Sequence, residues 1–213
     1  MIEQRQPDDS IKHRIYVEDA SYGGNLLGGF ISGEDQGQLL AQGAAMRSDP
    51  LLRLCVDLYA EALADPSHDA RYLRLWSVVE TLSGARVPAG QTVMRLDGTT
   101  WPGSHSTTDA APRAYALIAS VFGPGSVDES SSVAPASDLY EAVCGWYARR
   151  NATGHYGRFD PTDARQQAQR WFARAQQTVS SGGPRDPWLM AFERVAALVL
   201  NRELMSAGRS AIQ

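Results

Sequence analysis

The chain has 213 residues, 43% of them hydrophobic, and a formal net charge of −4. That is enough to bury one large domain, or one domain with a small appendage, and too apolar for a disordered chain. No apolar run approaches the roughly 18 residues of a membrane span, and the acidic balance excludes a protein that coats nucleic acid without regard to sequence.

The opening Met1-Ile2-Glu3-Gln4-Arg5-Gln6-Pro7-Asp8-Asp9 is polar and acidic, unlike a signal peptide. Residues 1–47 read as an N-terminal arm, or the remnant of a larger protein. Arg14-Ile15-Tyr16-Val17 suits a short strand, Gly23-Gly24 and Gly28-Gly29 mark turns, and glycines 37 and 43 weaken any helix over 34–46. From residue 48 to 213 the pattern is helical. Ser48-Asp49-Pro50 is an N-cap with proline at the first turn. It leads a stripe of Leu51, Leu54, Cys55, Leu58, Tyr59 and Ala62. Ser67 or Asp69 caps the next helix, with Tyr72, Leu75, Trp76, Val79 and Leu82 inward and Gly84 as its end. Residues 85–107 are irregular, apart from a brief strand pairing over Val93-Met94-Arg95-Leu96. A helix is predicted over 111–122, then a Ser-rich loop over 126–137.

Asp138, with Glu141 three residues on, opens a further helix. Two more follow: one over 162–179, and one from Pro187 to near Gly208 with Leu189, Phe192, Val195, Ala196 and Val199 inward. The sum is an all-α bundle of five or six helices with a small irregular N-terminal appendage. Cys55 and Cys144 both fall on apolar helix faces and are expected as buried thiols outside any disulfide. A cytoplasmic home fits them.

The helix from Leu139 carries the chemistry: Trp146-Tyr147-Ala148-Arg149-Arg150-Asn151-Ala152-Thr153-Gly154-His155-Tyr156. Arg150, always charged, precedes His155, a base that titrates near neutrality; the pair suits work on a phosphodiester. Arg149, Arg158, Arg165, Arg170 and Arg174 add a local basic window against Asp160 and Asp163. On an unbroken helix Arg150 and His155 lie about 140° apart, five steps of about 100°. A distortion at Gly154, or a second copy of the chain, is needed to bring them together.

An arginine, a polar residue and a histidine after four intervening residues resembles the signature of the HEPN ribonuclease superfamily. The segment Arg71-Tyr72-Leu73-Arg74-Leu75-Trp76-Ser77-Val78-Val79-Glu80-Thr81-Leu82 resembles the earlier helix of its Apea-like branch, a Leu-Trp pair followed by a Glu. The resemblance spans about 48–199, with a gap in the irregular middle. It implies a homodimer whose two motifs line one cleft, and metal-independent RNA cleavage of a defence or toxin type. The ribose 2′-hydroxyl attacks phosphorus, His155 moves the proton, Arg150 meets the phosphorane charge, and Asn151 binds a phosphate oxygen or orients His155. Glu80 is the candidate partner for Arg150, with Tyr156, Arg149 and Arg158 in support. Tyr156 departs from the smaller residue expected after the histidine.

No cofactor or metal is expected. His13, His68, His105 and the two cysteines make no zinc spacing. The glycines of 23–29 lack the lysine of a phosphate-binding loop. Ser104-His105-Ser106 reads as having no orienting acid nearby. The alternative function is a non-catalytic HEPN-like module that binds RNA or a partner protein; a fused or separate sensor domain fits either reading.

Overall fold

The computed structural model describes residues 2–5, 11–15, 42–44, 46–122, 138–160 and 187–210. The expected turns at 23–29, the Ser-rich loop, the helix over 162–179 and the arginines at 165, 170 and 174 lie outside the described residues.

Near the N-terminus, β1 (Ile2–Arg5) pairs antiparallel with β2 (Ile11–Ile15), Ile2 opposite Ile15, with an irregular register between Gln4 and Arg5. β2 thus begins three residues before the Arg14 start read from the sequence. Helical turns at 42–44 and 46–48 lead to the bundle.

Among the described residues five helices follow: α1 (Pro50–Ala64), α2 (His68–Arg86), α3 (Ala110–Phe122), α4 (Leu139–Tyr156) and α5 (Pro187–Ser210). Three begin on caps legible in the sequence. The Asp49 carboxylate accepts from the N–H groups of Leu51 (2.9 Å) and Leu52 (3.3 Å), and Pro50 occupies the first turn. The Ser67 hydroxyl accepts from Ala70, and Asp138 Oδ1 accepts from the Glu141 N–H at 2.8 Å. Each of these satisfies backbone donors that a helix start leaves unpaired.

α2 is the axis of the bundle and packs against each of the four other described helices. Its inward face carries Tyr72, Leu75, Trp76, Val78, Val79 and Leu82, all buried. Each large apolar side chain so buried contributes about 1.5–3 kcal/mol. Phe192 of α5 sits among Tyr72, Trp76 and Trp146, ring centroids 5.1, 5.8 and 4.9 Å away. The expected stripe of α5 is buried throughout, while in α1 the buried leucine is Leu52 and Leu54 is exposed.

Two glycines read as helix ends are interior. α2 runs through Gly84 to Arg86, where the Val87 N–H bonds the Ser83 carbonyl. α4 runs through Gly154 and His155 to Tyr156 and is closed by Gly157 at φ 74°, the left-handed conformation glycine adopts without penalty. Packing of the flanking turns outweighs the cost of about 1 kcal/mol that glycine brings to a helix interior.

The loop over 87–109 is irregular but tied down. Buried Thr107 donates its hydroxyl to the Pro88 carbonyl (2.6 Å), and that oxygen accepts from the Gln91 N–H (2.9 Å). Met94 bridges to Thr100, the short pairing read from the sequence, with Gly98 at φ 83° in the turn. The loop thereby lays Trp101 against Tyr115 and Tyr140, centroids 5.3 and 4.7 Å away and edge to face. No helix among the described residues is long and apolar enough to cross a membrane.

Candidate functional site

Asp138 sets the start of α4 and Gly157 its end, so the motif lies on the last two turns of one continuous helix. Gly154 does not distort it. Arg150 and His155 therefore stand about 140° apart around the axis and about 7.5 Å apart along it. They do not share a face of the helix.

Arg150 is the better anchored of the two. Its Nη1 donates to Asn151 Oδ1 at 3.1 Å, and its Nη2 lies 3.5 Å from Glu80 Oε2. The same Glu80 oxygen accepts the indole N–H of Trp76 at 3.0 Å. Trp76 is buried in the core, so the order runs outward: packed indole, carboxylate, guanidinium. About a third of the Arg150 side chain remains exposed, and 41% of Glu80. At that exposure the ion pair is worth little in stability; its geometric effect is to orient a guanidinium while leaving part of it open to solvent.

His155 and Tyr156 are exposed in the last turn of α4, as is Gly154. A histidine there also suits the negative end of the helix dipole when protonated.

Arg149, its neighbour in sequence, has a different environment. It is buried, its guanidinium lies 4.6 Å from the Tyr72 ring centroid and 4.8 Å from that of Phe159, and its Nη2 is 3.6 Å from Asp69 Oδ1. Asp69 Oδ2 also accepts from the Phe159 N–H. Arg149 fastens the chain beyond α4 to the start of α2, and a phosphate has no access to it. Arg158 is three-quarters exposed and pairs with Asp160 at 3.4 Å. The three described arginines of the basic window, Arg149, Arg150 and Arg158, thus each have a carboxylate within 4 Å.

A second cluster was missed by the sequence reading. His105 Nδ1 lies 2.9 Å from Asp109 Oδ2, an orienting acid four residues on. Both line a cavity of about 480 Å³ with Trp101, Pro112, Tyr140, Cys144 and Tyr147. The signal was the spacing His-x-x-x-Asp at a helix start; what it lacked was any hint that Tyr140 and Cys144, far along the chain, close the cavity.

The two cysteines differ. Cys55 is fully buried, and burial, helped by the Asp49 charge, pushes its thiol up to about 11. Cys144 is half-buried. Among the described residues no group of three His, Cys, Asp or Glu side chains is placed to hold a metal ion.

Comparison of the chain with family models, with curated proteins and with solved structures finds no match.

Proposed function

We propose that this protein is a metal-independent RNA endonuclease of defence or toxin type, HEPN-like in its helical domain, with a site completed by a second copy of the chain. The observation that carries the reading is the set Trp76–Glu80–Arg150–Asn151, which holds a partly open guanidinium on the motif helix. A charge-assisted fork of this kind suits the phosphorane oxygens of a phosphodiester under attack. His155, exposed five residues on, takes or returns the proton of the 2′-hydroxyl. Because the two side chains face apart on one helix, the cleft needs Arg150 of one protomer and His155 of its partner. The products are a 2′,3′-cyclic phosphate and a 5′-hydroxyl; DNA lacks the nucleophile.

The test pairs cleavage with stability. Wild type cuts a single-stranded RNA in EDTA. His155→Ala loses about 10²–10⁴ in rate and melts as wild type does, since the residue is exposed. A His155→Ala variant that cuts normally removes the histidine from the reaction.

The second reading, a non-catalytic module that binds RNA or a partner protein, is favoured by one specific observation. Arg149, Arg150 and Arg158 each already have a carboxylate partner. Wild type that cuts no RNA, yet binds it or a protein, selects this reading.

A further inference from the structure

The cavity beside Tyr147 has no part in the chemistry assigned to Arg150 and His155. We propose that it is a base subsite, a pocket that takes one unstacked nucleobase of the single-stranded RNA whose phosphate meets Arg150. The inference rests on the ribonucleolytic reading for the source of its ligand.

Its size and lining carry it first. About 480 Å³ lies within the range of about 300–1,000 Å³ typical of small-molecule sites. The walls are aromatic and apolar: Trp101, Tyr140, Tyr147, Ala111 and Pro112. Single-stranded RNA is read by stacking splayed bases on such rings, with hydrogen bonds to base edges. The polar contribution is the His105–Asp109 pair. In the tautomer whose Nδ1–H donates to Asp109, Nε2 is the acceptor for an amino or imino N–H, the donors a base edge presents. Among the described residues Asp109 is the only carboxylate in the lining, and no lysine or arginine joins it, so this end suits a neutral ring better than a phosphate.

Position carries it second. Tyr140, Cys144, Tyr147 and Asn151 recur at spacings of four, three and four along α4, one face of the helix. The first three line the cavity; the fourth accepts from Arg150. Asn151 is one turn, about 6 Å, beyond Tyr147. Tyr147 also packs on Trp76, centroids 5.6 Å apart, and Trp76 donates to the carboxylate that holds Arg150. The pocket and the guanidinium are adjacent stations on one wall, one neutral and aromatic, the other cationic.

Cys144 supplies the probe. It lines the pocket, whereas Cys55 is buried, its thiol held protonated at neutral pH. A chromogenic disulfide at pH 8 therefore labels Cys144 first. The ligands are a mixed-sequence hexanucleotide with every 2′-hydroxyl methylated, which cannot be cut, and an abasic hexamer of the same backbone. The expected result is that the base-bearing oligonucleotide slows Cys144 labelling at least tenfold and binds at least tenfold tighter than the abasic one. His105→Ala, on an exposed loop and so able to fold, reduces both differences. Equal binding of the two oligomers without protection of Cys144 overturns the subsite. The ribonucleolytic reading fails by a different result: protection of Cys144 by the base-bearing oligomer, unchanged by Arg150→Ala, in a protein that leaves unmodified RNA uncut.

Discussion

Arg149 and Arg150 show how little a residue's type says about its task. Both are arginines on α4, yet one is clamped between Tyr72 and Phe159 and the other is held at the surface by Glu80 and Asn151. Arg149→Ala leaves Asp69 and two aromatic rings without their cation and should cost about 2 kcal/mol or more, seen in a urea titration. Arg150→Ala should cost about 1 kcal/mol or less, because its pair is half-exposed, and should abolish cleavage. The sequence offered no means to separate them, since the partners of Arg149 lie about 80 residues earlier in the chain and beyond the helix end. Glu80 was legible only as a candidate neighbour of Arg150, because a plain surface glutamate fits the same sequence equally well, and the structure leaves 41% of its side chain exposed. Cys55 makes a separate prediction. Its thiol stands near 11 in the folded chain against an ordinary 9.0. The folded state thus holds the proton more tightly. The stabilisation is complete below about pH 9 and is lost as pH rises through 11, about 2–3 kcal/mol in all. Stability measured from pH 8 to 11 should fall, and Cys55→Ala should remove that part of the slope while lowering the whole curve through the cavity it leaves.

The helices were the most legible elements, and for a physical reason. Asp49, Ser67 and Asp138 cap where short polar acceptors precede apolar periodicity, and the stripes of α2 and α5 follow the 3.6-residue period. Their ends were less legible where glycine intervened. Gly154 was read as a break, but nothing in its surroundings demands glycine: a Cβ there meets no atom within 4 Å. Gly154→Ala should therefore stabilise by about 0.5–1 kcal/mol. A fall in melting temperature instead would mean that α4 does bend there. Gly145 is the opposite case. A Cβ on it would stand 2.6 and 2.7 Å from atoms of the Trp188 ring, whose backbone carbonyl accepts the indole N–H of Trp146. Gly145→Ala should cost about 1–3 kcal/mol as Trp188 is pushed from α4, and the two alanine variants, nine residues apart on one helix, should shift the denaturation midpoint in opposite directions. The loop over 87–109 was legible only as a loop. Its order comes from Thr107 and from Tyr115, whose hydroxyl accepts from the Leu96 N–H, contacts between segments that no local pattern relates.

For the molecule as a whole, the bundle around α2 was legible in class, since every helix buries a stripe that only another helix can cover. The second copy that the proposed site calls for was not, because no composition or spacing reports an interface. The continuous α4 makes the assembly a requirement of the proposed chemistry: with Arg150 and His155 facing apart on one helix, a site that uses both draws them from different chains. Light scattering should give twice the 23.2 kDa chain mass under conditions where RNA is cut. The most direct measurement mixes two inactive variants, Arg150→Ala and His155→Ala, refolded together so that subunits exchange. A two-fold dimer with sites shared between protomers gives each mixed dimer one intact Arg150–His155 site. RNA cleavage should then return to roughly a quarter of the wild-type rate, half the dimers being mixed and each carrying one of two sites. Mixed dimers that form and yet stay inactive, while wild type cuts, would contradict the shared site and return the reaction to a single chain.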